Sequence, residues 1–249
     1  MGLFDLFKKK PSQSIPFSLD WLQVDMHSHL IPGIDDGSKS MEESLRLLER
    51  MQSYGLRKVI TTPHIMSEYY RNTPELIQMG LEDLRKAAQN HGLSIQIDAA
   101  AEYYMDEIFL EKVKSGEKLL TFGDSNILVE TGFINKPQML LDILFQLEMA
   151  GYRPVLAHPE RYQYLIADKN LQQELMDRQL AFQVNLLSLT GFYSKQVKDF
   201  AEYLLEKGAI SFLGTDCHNE RYLDMLETLP KNAKVFSKIR QLDLQNHKL

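Results

Sequence analysis

Residues 23–30 read QVDMHSHL and set His27 and His29 one residue apart, directly after a short apolar run. Side chains on a β-strand alternate between faces, so on a strand these two imidazoles point the same way. Two neutral imidazoles that converge are good ligands for a divalent metal. Residues of the same chemistry recur where other β-rich runs end. TTPH supplies His64, AAAEYY Glu102, LVET Glu130, LAHPER His158, and GTDCH Asp216 and His218, while Asp35 and Asp36 follow the first run. Five of the seven histidines fall in this set, and His91 and His247 do not. Any one of these residues alone reads as a hydrogen-bonded loop residue. Gathered on one rim, so many imidazoles and carboxylates would be costly to bury without cations among them. Mixed nitrogen and oxygen donors suit Mn, Fe, Co or Zn, and there are enough of them for two or three ions.

Gathering these residues requires a scaffold that brings several strand ends together. Seven runs qualify as strands, ending near residues 25–27, 60–62 (KVITT), 97–99 (LSIQIDA), 129–131 (NILVET), 156–158 (PVLAH), 184–185 (AFQVN) and 214–216 (ISFLGTD). Six of the seven end at a candidate ligand; the sixth run, ending at Asn185, does not. Helical patterns lie between them. Ser40 with Glu43 forms a capping box ahead of the Leu45, Leu48 and Met51 stripe. Thr73-Pro74-Glu75 reads as N-cap, first-turn proline and first-turn acid, and Asn135-Lys136-Pro137 opens a helix with Leu140, Ile143, Leu144 and Leu147 on one face. Gly92, Gly151 and Gly208 sit where helices should stop. Alternating strands and helices predict an α/β fold with a parallel sheet, and seven such units in 249 residues predict a barrel closed or nearly closed on itself. Active sites of such barrels lie at the carboxyl ends of the strands, where the candidate ligands fall.

Composition narrows the function further. The chain is 44% hydrophobic and 25% charged, as an ordinary globular protein is, and its net charge of -6 supplies no basic field for nucleic acid. A single cysteine, Cys217, excludes an internal disulfide, and with no signal peptide the expected compartment is the cytoplasm. No apolar run reaches the roughly 20 residues of a membrane span. Residues 1–16 read as a tail and linker, and 17–249 as one domain. The leading MGLFDLFKKK is either a weak membrane-surface anchor or a terminus packed on the domain.

Five segments in order, DMHSHLIPGIDDGSKS, TTPH, AAAEYY, LAHPERY and GTDCHN, cover nearly the whole domain. They resemble the polymerase-and-histidinol-phosphatase (PHP) superfamily, and within it the bacterial protein-tyrosine phosphatases of capsular and exopolysaccharide synthesis. The resemblance implies a distorted (β/α)7 TIM-like barrel with a trinuclear metal centre. By it, His27, His29, Glu102 and Asp216 would hold one ion. Glu102 would bridge to a second, completed by Glu130 and His158, and Asp36, His64 and His218 would hold the third. Asp35 competes for the place of Asp36; Asp36 directly precedes Gly37, as in the family's Asp-Gly motif. Arg161 matches an arginine that the family uses on phosphate. Arg221 is a second candidate, although it stands closer to His218 than the family pattern gives. Ala100 replaces a glycine usual in the family.

The activity so implied is hydrolysis of phosphotyrosine by a metal-bound hydroxide, because a divalent ion lowers the pKa of its water from about 15.7 to about 7. Arg161, with Arg221 as second candidate, and the metals would stabilise the phosphoryl oxygens. Tyrosine leaves with a pKa of about 10, so general-acid help is less critical and no acid is assigned. The cofactors implied are two or three divalent ions, Mn first, with Fe, Co or Zn as alternatives. The implied partner is a phosphotyrosine protein, a membrane-associated bacterial tyrosine kinase. Cys217 is disfavoured as a nucleophile because Arg221 follows it too closely for a cysteine phosphatase loop. Rival readings are a small-molecule phosphomonoesterase such as a histidinol phosphatase, a nuclease, or a non-catalytic metal-binding module. Tyr69-Tyr70, Tyr103-Tyr104, Tyr162 and Tyr164 read equally as the walls of a tyrosine slot or as rim packing.

Overall fold

The computed structural model describes residues 17–229 and 232–249, so the expected tail and linker, with the MGLFDLFKKK segment, lie outside the described residues. All seven expected runs are present, and every pairing between named strands is parallel. The first is β1 (Val24–Asp25); the second splits into β2 (Lys58–Thr61) and β3 (His64–Ile65); the third splits into β4 (Gln96–Ala99) and β5 (Glu102–Tyr104). The remainder are β6 (Asn126–Glu130), β7 (Arg153–Ala157), β8 (Ala181–Asn185) and β9 (Ile210–Gly214). The break between β2 and β3 falls at Thr62-Pro63, where proline offers no N–H to a ladder.

One sheet has the order β1-β2-β4 and the other β3-β5-β6-β7-β8-β9. Backbone bonds join the first and last segments: Asp216 N donates to His27 O at 2.8 Å, His29 N donates to Cys217 O at 2.9 Å, and Ser28 bridges Cys217. Hydrogen bonds thus run from each segment to the next around a ring, a distorted TIM-like barrel of seven staves.

Helices α1 (Met41–Ser53), α2 (Pro74–Asn90), α3 (Glu107–Lys114), α4 (Leu140–Met149), α5 (Gln163–Ala167), α6 (Lys169–Asp177), α7 (Lys195–Lys207), α8 (Glu220–Leu226) and α9 (Ala233–Ile239) lie between and after the strands. Ser40 accepts from Glu43 N, and Thr73 accepts from Leu76 N ahead of Pro74, as their types predict. The expected start of α4 at Pro137 is corrected: residues 137–139 form a turn in which Leu140 N bonds Pro137 O, and α4 has no side-chain cap. Its Leu140, Ile143, Leu144 and Leu147 stripe is fully buried, as its 3.6-residue period requires.

Strand alternation sorts the core into two layers. Ile127, Val129, Leu156, Val184 and Leu213 pack with the helices. Their neighbours Leu128, Val155, Ala157 and Phe212 pack with Val24, Ile60 and Ala100, residues from strands far apart in sequence that meet inside the ring. The Ala100 methyl, in place of a glycine, is part of that interior packing.

Candidate metal centre

The interior changes character at the carboxyl ends of the strands. β1 ends at Asp25, so His27 and His29 flank the isolated bridge at Ser28 rather than lying on a regular strand. They still converge, with their Nε2 atoms 3.4 Å apart. Glu102 Oε2 lies 3.0 Å from His27 Nε2 and 3.3 Å from His29 Nε2; Asp216 Oδ1 lies 3.3 and 3.5 Å from them. Donors held about 2.1 Å from one cation stand about 3.0–3.4 Å apart in octahedral or tetrahedral coordination, so this set has the spacing of a shared ion.

Glu102 reaches a second group through its other oxygen, with Oε1 2.9 Å from His158 Nε2. Glu130 stands nearer to His64 (2.9 Å to Nδ1) than to His158 (3.9 Å to Nε2). The third set surrounds Asp36, whose Oδ1 is 3.4 Å from His64 Nε2 and 3.5 Å from His218 Nε2; the His29 ring stacks on His218 with centroids 4.1 Å apart. All nine candidate ligands therefore adjoin, with His64 between two sets. Four groupings of these residues have ligand atoms close enough together to hold an ion. His158 Nδ1 and His64 Nδ1 are buried without a hydrogen bond, the latter because the Glu130 carboxylate lies in reach but out of line. The unpartnered His64 Nδ1, 2.9 Å from Glu130 and 3.3 Å from Glu102, fits a cation.

The outer partners orient the rings. His27 Nδ1 stands 2.7 Å from Gln183 Oε1, His29 Nδ1 2.8 Å from Asp35 Oδ2, and His218 Nδ1 2.8 Å from Asp216 O. Acceptors at all three Nδ1 atoms assign the proton there, leaving the Nε2 lone pairs to face the centre. Asp35 is thus occupied in orienting His29, and it also accepts from Gly37 N. A Cβ on Gly37 would come within 2.3 Å of His29 O, so this approach of chain to chain requires glycine. Gln183 and Asn185 are the residues that ligand chemistry alone misses. Gln183 and Asn185 are two apart on β8, and Asn185 Nδ2 donates to Asp216 Oδ2 at 2.7 Å, so the sixth strand end serves the site through an amide.

Burial and charge oppose one another here. Burial disfavours the carboxylate forms of Glu102 and Asp216, yet the surrounding imidazoles hold both well below the usual range. Burial likewise disfavours charged His29 and His64, and the carboxylates override it, raising both well above the ordinary imidazole value. His158 (φ 32°) and Asp216 (φ 51°) both occupy the left-handed region directly or shortly after a strand, a strained backbone held in place by its surroundings.

A cavity of about 230 Å³ opens over the cluster, lined by Tyr70, Tyr104, Phe133, Tyr222 and Arg161 among others. The Arg161 guanidinium lies 4.4 Å from both the Phe133 and Tyr193 ring centres, and its Nη1 donates to Asp216 Oδ2 at 3.1 Å. Arg221 is exposed in the first turn of α8, 5.4 Å from the Phe192 ring and outside the cavity lining; its neighbour Tyr222 lines it instead. The other tyrosines divide: Tyr103 and Tyr162 are core residues, Tyr164 bonds Thr131, and Tyr69 is 75% exposed. Burial pushes the Cys217 thiol well up, which disfavours the thiolate that a nucleophile needs.

Among the described residues no helix is long and apolar enough to cross a membrane. The structure superposes with a TM-score of 0.75 and 27% identity, over 90% of this chain and 94% of the other, on one from a study of YwqE from Bacillus subtilis and CpsB from Streptococcus pneumoniae, described as unique metal-dependent tyrosine phosphatases. An amidohydrolase from Mycoplasma synoviae shares the fold at TM-score 0.56 and 14% identity, covering 94% of this chain and 88% of that one. In sequence, the tyrosine-protein phosphatase CpsB of Streptococcus pneumoniae is 30% identical over 202 residues, 79% of this chain and 83% of the relative. The tyrosine-protein phosphatase YwqE of Bacillus subtilis (strain 168) is 29% identical over 198 residues, 79% and 77% respectively. A family model described as capsular polysaccharide synthesis, CpsB/CapC, matches residues 23–239, and the chain belongs to that family.

Proposed function

We propose that this protein is a metal-dependent protein-tyrosine phosphatase. The observation that carries the reading is the convergence of nine imidazole and carboxylate ligands beneath a cavity that also holds Arg161 and aromatic walls. His27, His29, Glu102 and Asp216 would hold one divalent ion, Glu102, Glu130 and His158 a second, and Asp36, His64 and His218 a third, with Mn first and Fe, Co or Zn as alternatives. Bound ions supply Lewis acidity to a water and to the phosphoryl oxygens, and neutralise the buried carboxylates.

The chain's own residues do the rest. Asp216 and the two flanking rings hold the Arg161 guanidinium in place. The planar fork then has further N–H groups for non-bridging phosphate oxygens. Tyr70, Tyr104, Phe133 and Tyr222 supply apolar ring surface for the phenyl group of the substrate. Gln183 and Asp35 keep His27 and His29 in the tautomer whose Nε2 can act as a ligand. Arg221 assists only a substrate that extends beyond the cavity. The substrate most in keeping with the family is a membrane-associated bacterial tyrosine kinase of capsule or exopolysaccharide synthesis, met in the cytoplasm.

The test is phosphate release from a phosphotyrosine peptide by chelator-stripped protein, reloaded separately with Mn, Fe, Co, Zn or Mg, with histidinol phosphate in parallel. Metal-dependent release from the peptide is expected. Turnover of histidinol phosphate alone would move the protein to small-molecule phosphomonoesterases, and release from neither would leave a metal-binding module.

A further inference from the structure

A second cavity, also of about 230 Å³, lies beside the first and shares two wall residues with it, Met66 and Tyr104. Ile65, Ile108 and Phe109 give it an apolar lining, and Arg71 and Lys112 stand at it from the segment after β3 and from α3. None of these residues belongs to the ligand cluster.

Three observations point to what fills it. First, Ile108 is 55% exposed although α3 buries its other apolar residues Phe109, Leu110 and Val113, so the packing of the helix does not account for an isoleucine there. Further exposed apolar residues lie nearby: Tyr69, 75% exposed, on the segment bordering the second cavity, and Phe133, 38% exposed, in the lining of the first, with Ile134, 66% exposed, next to it in the chain. Apolar surface gathered at a site mouth marks a binding surface.

Second, the charges are available. Asp106, the acid in this cavity, is already committed to capping α3 through Phe109 N and to Ser67 Oγ. Arg71 makes no ion pair among the described residues, and the Lys112–Glu117 pair is a partly exposed one that an incoming carboxylate displaces at little cost. In a chain of net charge -6 this is a local cationic rim. Third, the two cavities are separated by a wall of Met66 and Tyr104 side chains. Alternate side chains of an extended peptide point the same way about 7 Å apart, so such a peptide can present two of them to cavities that adjoin through shared lining residues.

We infer that this second cavity receives an apolar side chain two positions from the phosphotyrosine of an extended protein substrate, with an acidic residue beside it against Arg71 and Lys112. The inference rests on the phosphatase reading and adds a sequence preference to it. A small aryl phosphate does not reach this cavity, so the two substrates separate the claims.

The test compares p-nitrophenyl phosphate with phosphotyrosine peptides carrying Leu or Lys two positions before or after the phosphotyrosine, each with or without an adjacent Glu, using metal-loaded protein and Ile108→Glu and Arg71→Glu variants. The Leu-Glu peptide should exceed its Lys counterpart by about tenfold or more in kcat/KM, with the difference mainly in KM. Ile108→Glu should remove that preference and Arg71→Glu should reduce the advantage of the acidic residue, both leaving the small ester within about twofold. Equal use of all peptides, or equal losses on peptide and small ester in both variants, would overturn the inference while leaving the phosphatase reading intact. If no ester is hydrolysed, that reading fails instead. Fluorescence anisotropy of peptides with a phosphonate in place of the phosphate then reads the preference by itself, and equal affinity for all of them overturns it.

Discussion

Along β6, Leu128 and Glu130 stand two residues apart on the same strand phase, yet they belong to regions of opposite character. Leu128 packs against Val24, Ile60, Val155 and Phe212 in a dry interior layer. Glu130 stands among His64, Glu102 and His158. Phe212 in the lower layer and Asp216 in the upper one are four positions apart. The lower layer removes apolar surface from water, which contributes about 1.5–3 kcal/mol for each large side chain. The upper layer buries carboxylates and imidazoles, whose desolvation opposes folding unless charge or a cation offsets it. One set of strands thus carries stability at one end and chemistry at the other, and substitutions in the two layers should have opposite signatures.

The largest effect is expected in the upper layer. Glu102→Gln, which keeps the shape of the residue shared by two ligand sets, should lower metal-dependent turnover of a phosphotyrosine peptide by at least about a thousandfold. Its metal-free urea midpoint should fall by less than that of a core truncation, because relieved desolvation of the carboxylate offsets part of the lost pairing with the imidazoles. A midpoint drop like that of a core truncation would erase the distinction between the layers.

Phe212→Ala should invert that pattern. Truncating this fully buried ring should reduce the unfolding free energy by about 3–5 kcal/mol, while turnover per folded molecule, measured well below the midpoint, stays within a few-fold. Large activity loss in fully folded Phe212→Ala protein would show that the lower layer also sets site geometry.

Asp25 lies at the boundary between layers and gives a pH signature. Burial pushes its carboxyl from 3.8 to about 6, against the hydrogen bonds from Thr215 that favour the anion. The folded protein therefore holds this proton more tightly than the unfolded chain. The resulting stability is fully present below pH 3.8 and is lost as pH rises through about 6, a change on the order of 3 kcal/mol. In metal-free protein, Asp25→Asn should match the parent near about pH 4 and become the more stable of the two by about pH 7. Parallel urea-unfolding profiles across that range would remove Asp25 from the account.

The smallest effect is expected at Gln183, an amide on the interior phase of β8. Gln183→Leu leaves His27 Nδ1 without its acceptor, and metal retention against a competing chelator should weaken by about 10–100-fold. Unchanged retention would show that His27 needs no outer partner.

Much of this was legible because the signals are local. The Ser40 and Thr73 caps follow from residue types within one turn, and the buried stripe of α4 from the period of its leucines. The strand ends carrying His64, Glu102, Glu130, His158 and Asp216 followed from apolar runs meeting polar termini, although β7 and β9 stop short of His158 and Asp216. The start of α4 was not legible, because Pro137 suits a turn as well as a first helical turn. Gln183 and Asn185 were silent because an amide has no metal preference of its own; each acquires its role from a neighbour 156 or 31 residues away. The grouping of Glu130 nearer to His64 than to His158, and the placing of Arg221 outside the cavity, depend on side-chain direction, which spacing along the chain does not encode.

The sequence by itself determined the ligand chemistry, the alternation of strand and helix, and the positions of the helix caps, because each depends on residue type and short-range periodicity. The tertiary structure decided how Glu102 stands between two ligand sets, which aspartate orients and which faces the centre at positions 35 and 36, and which aromatic residues line the cavity. Those outcomes depend on closing a ring of strands, where contacts between residues more than a hundred positions apart fix distances to within an ångström.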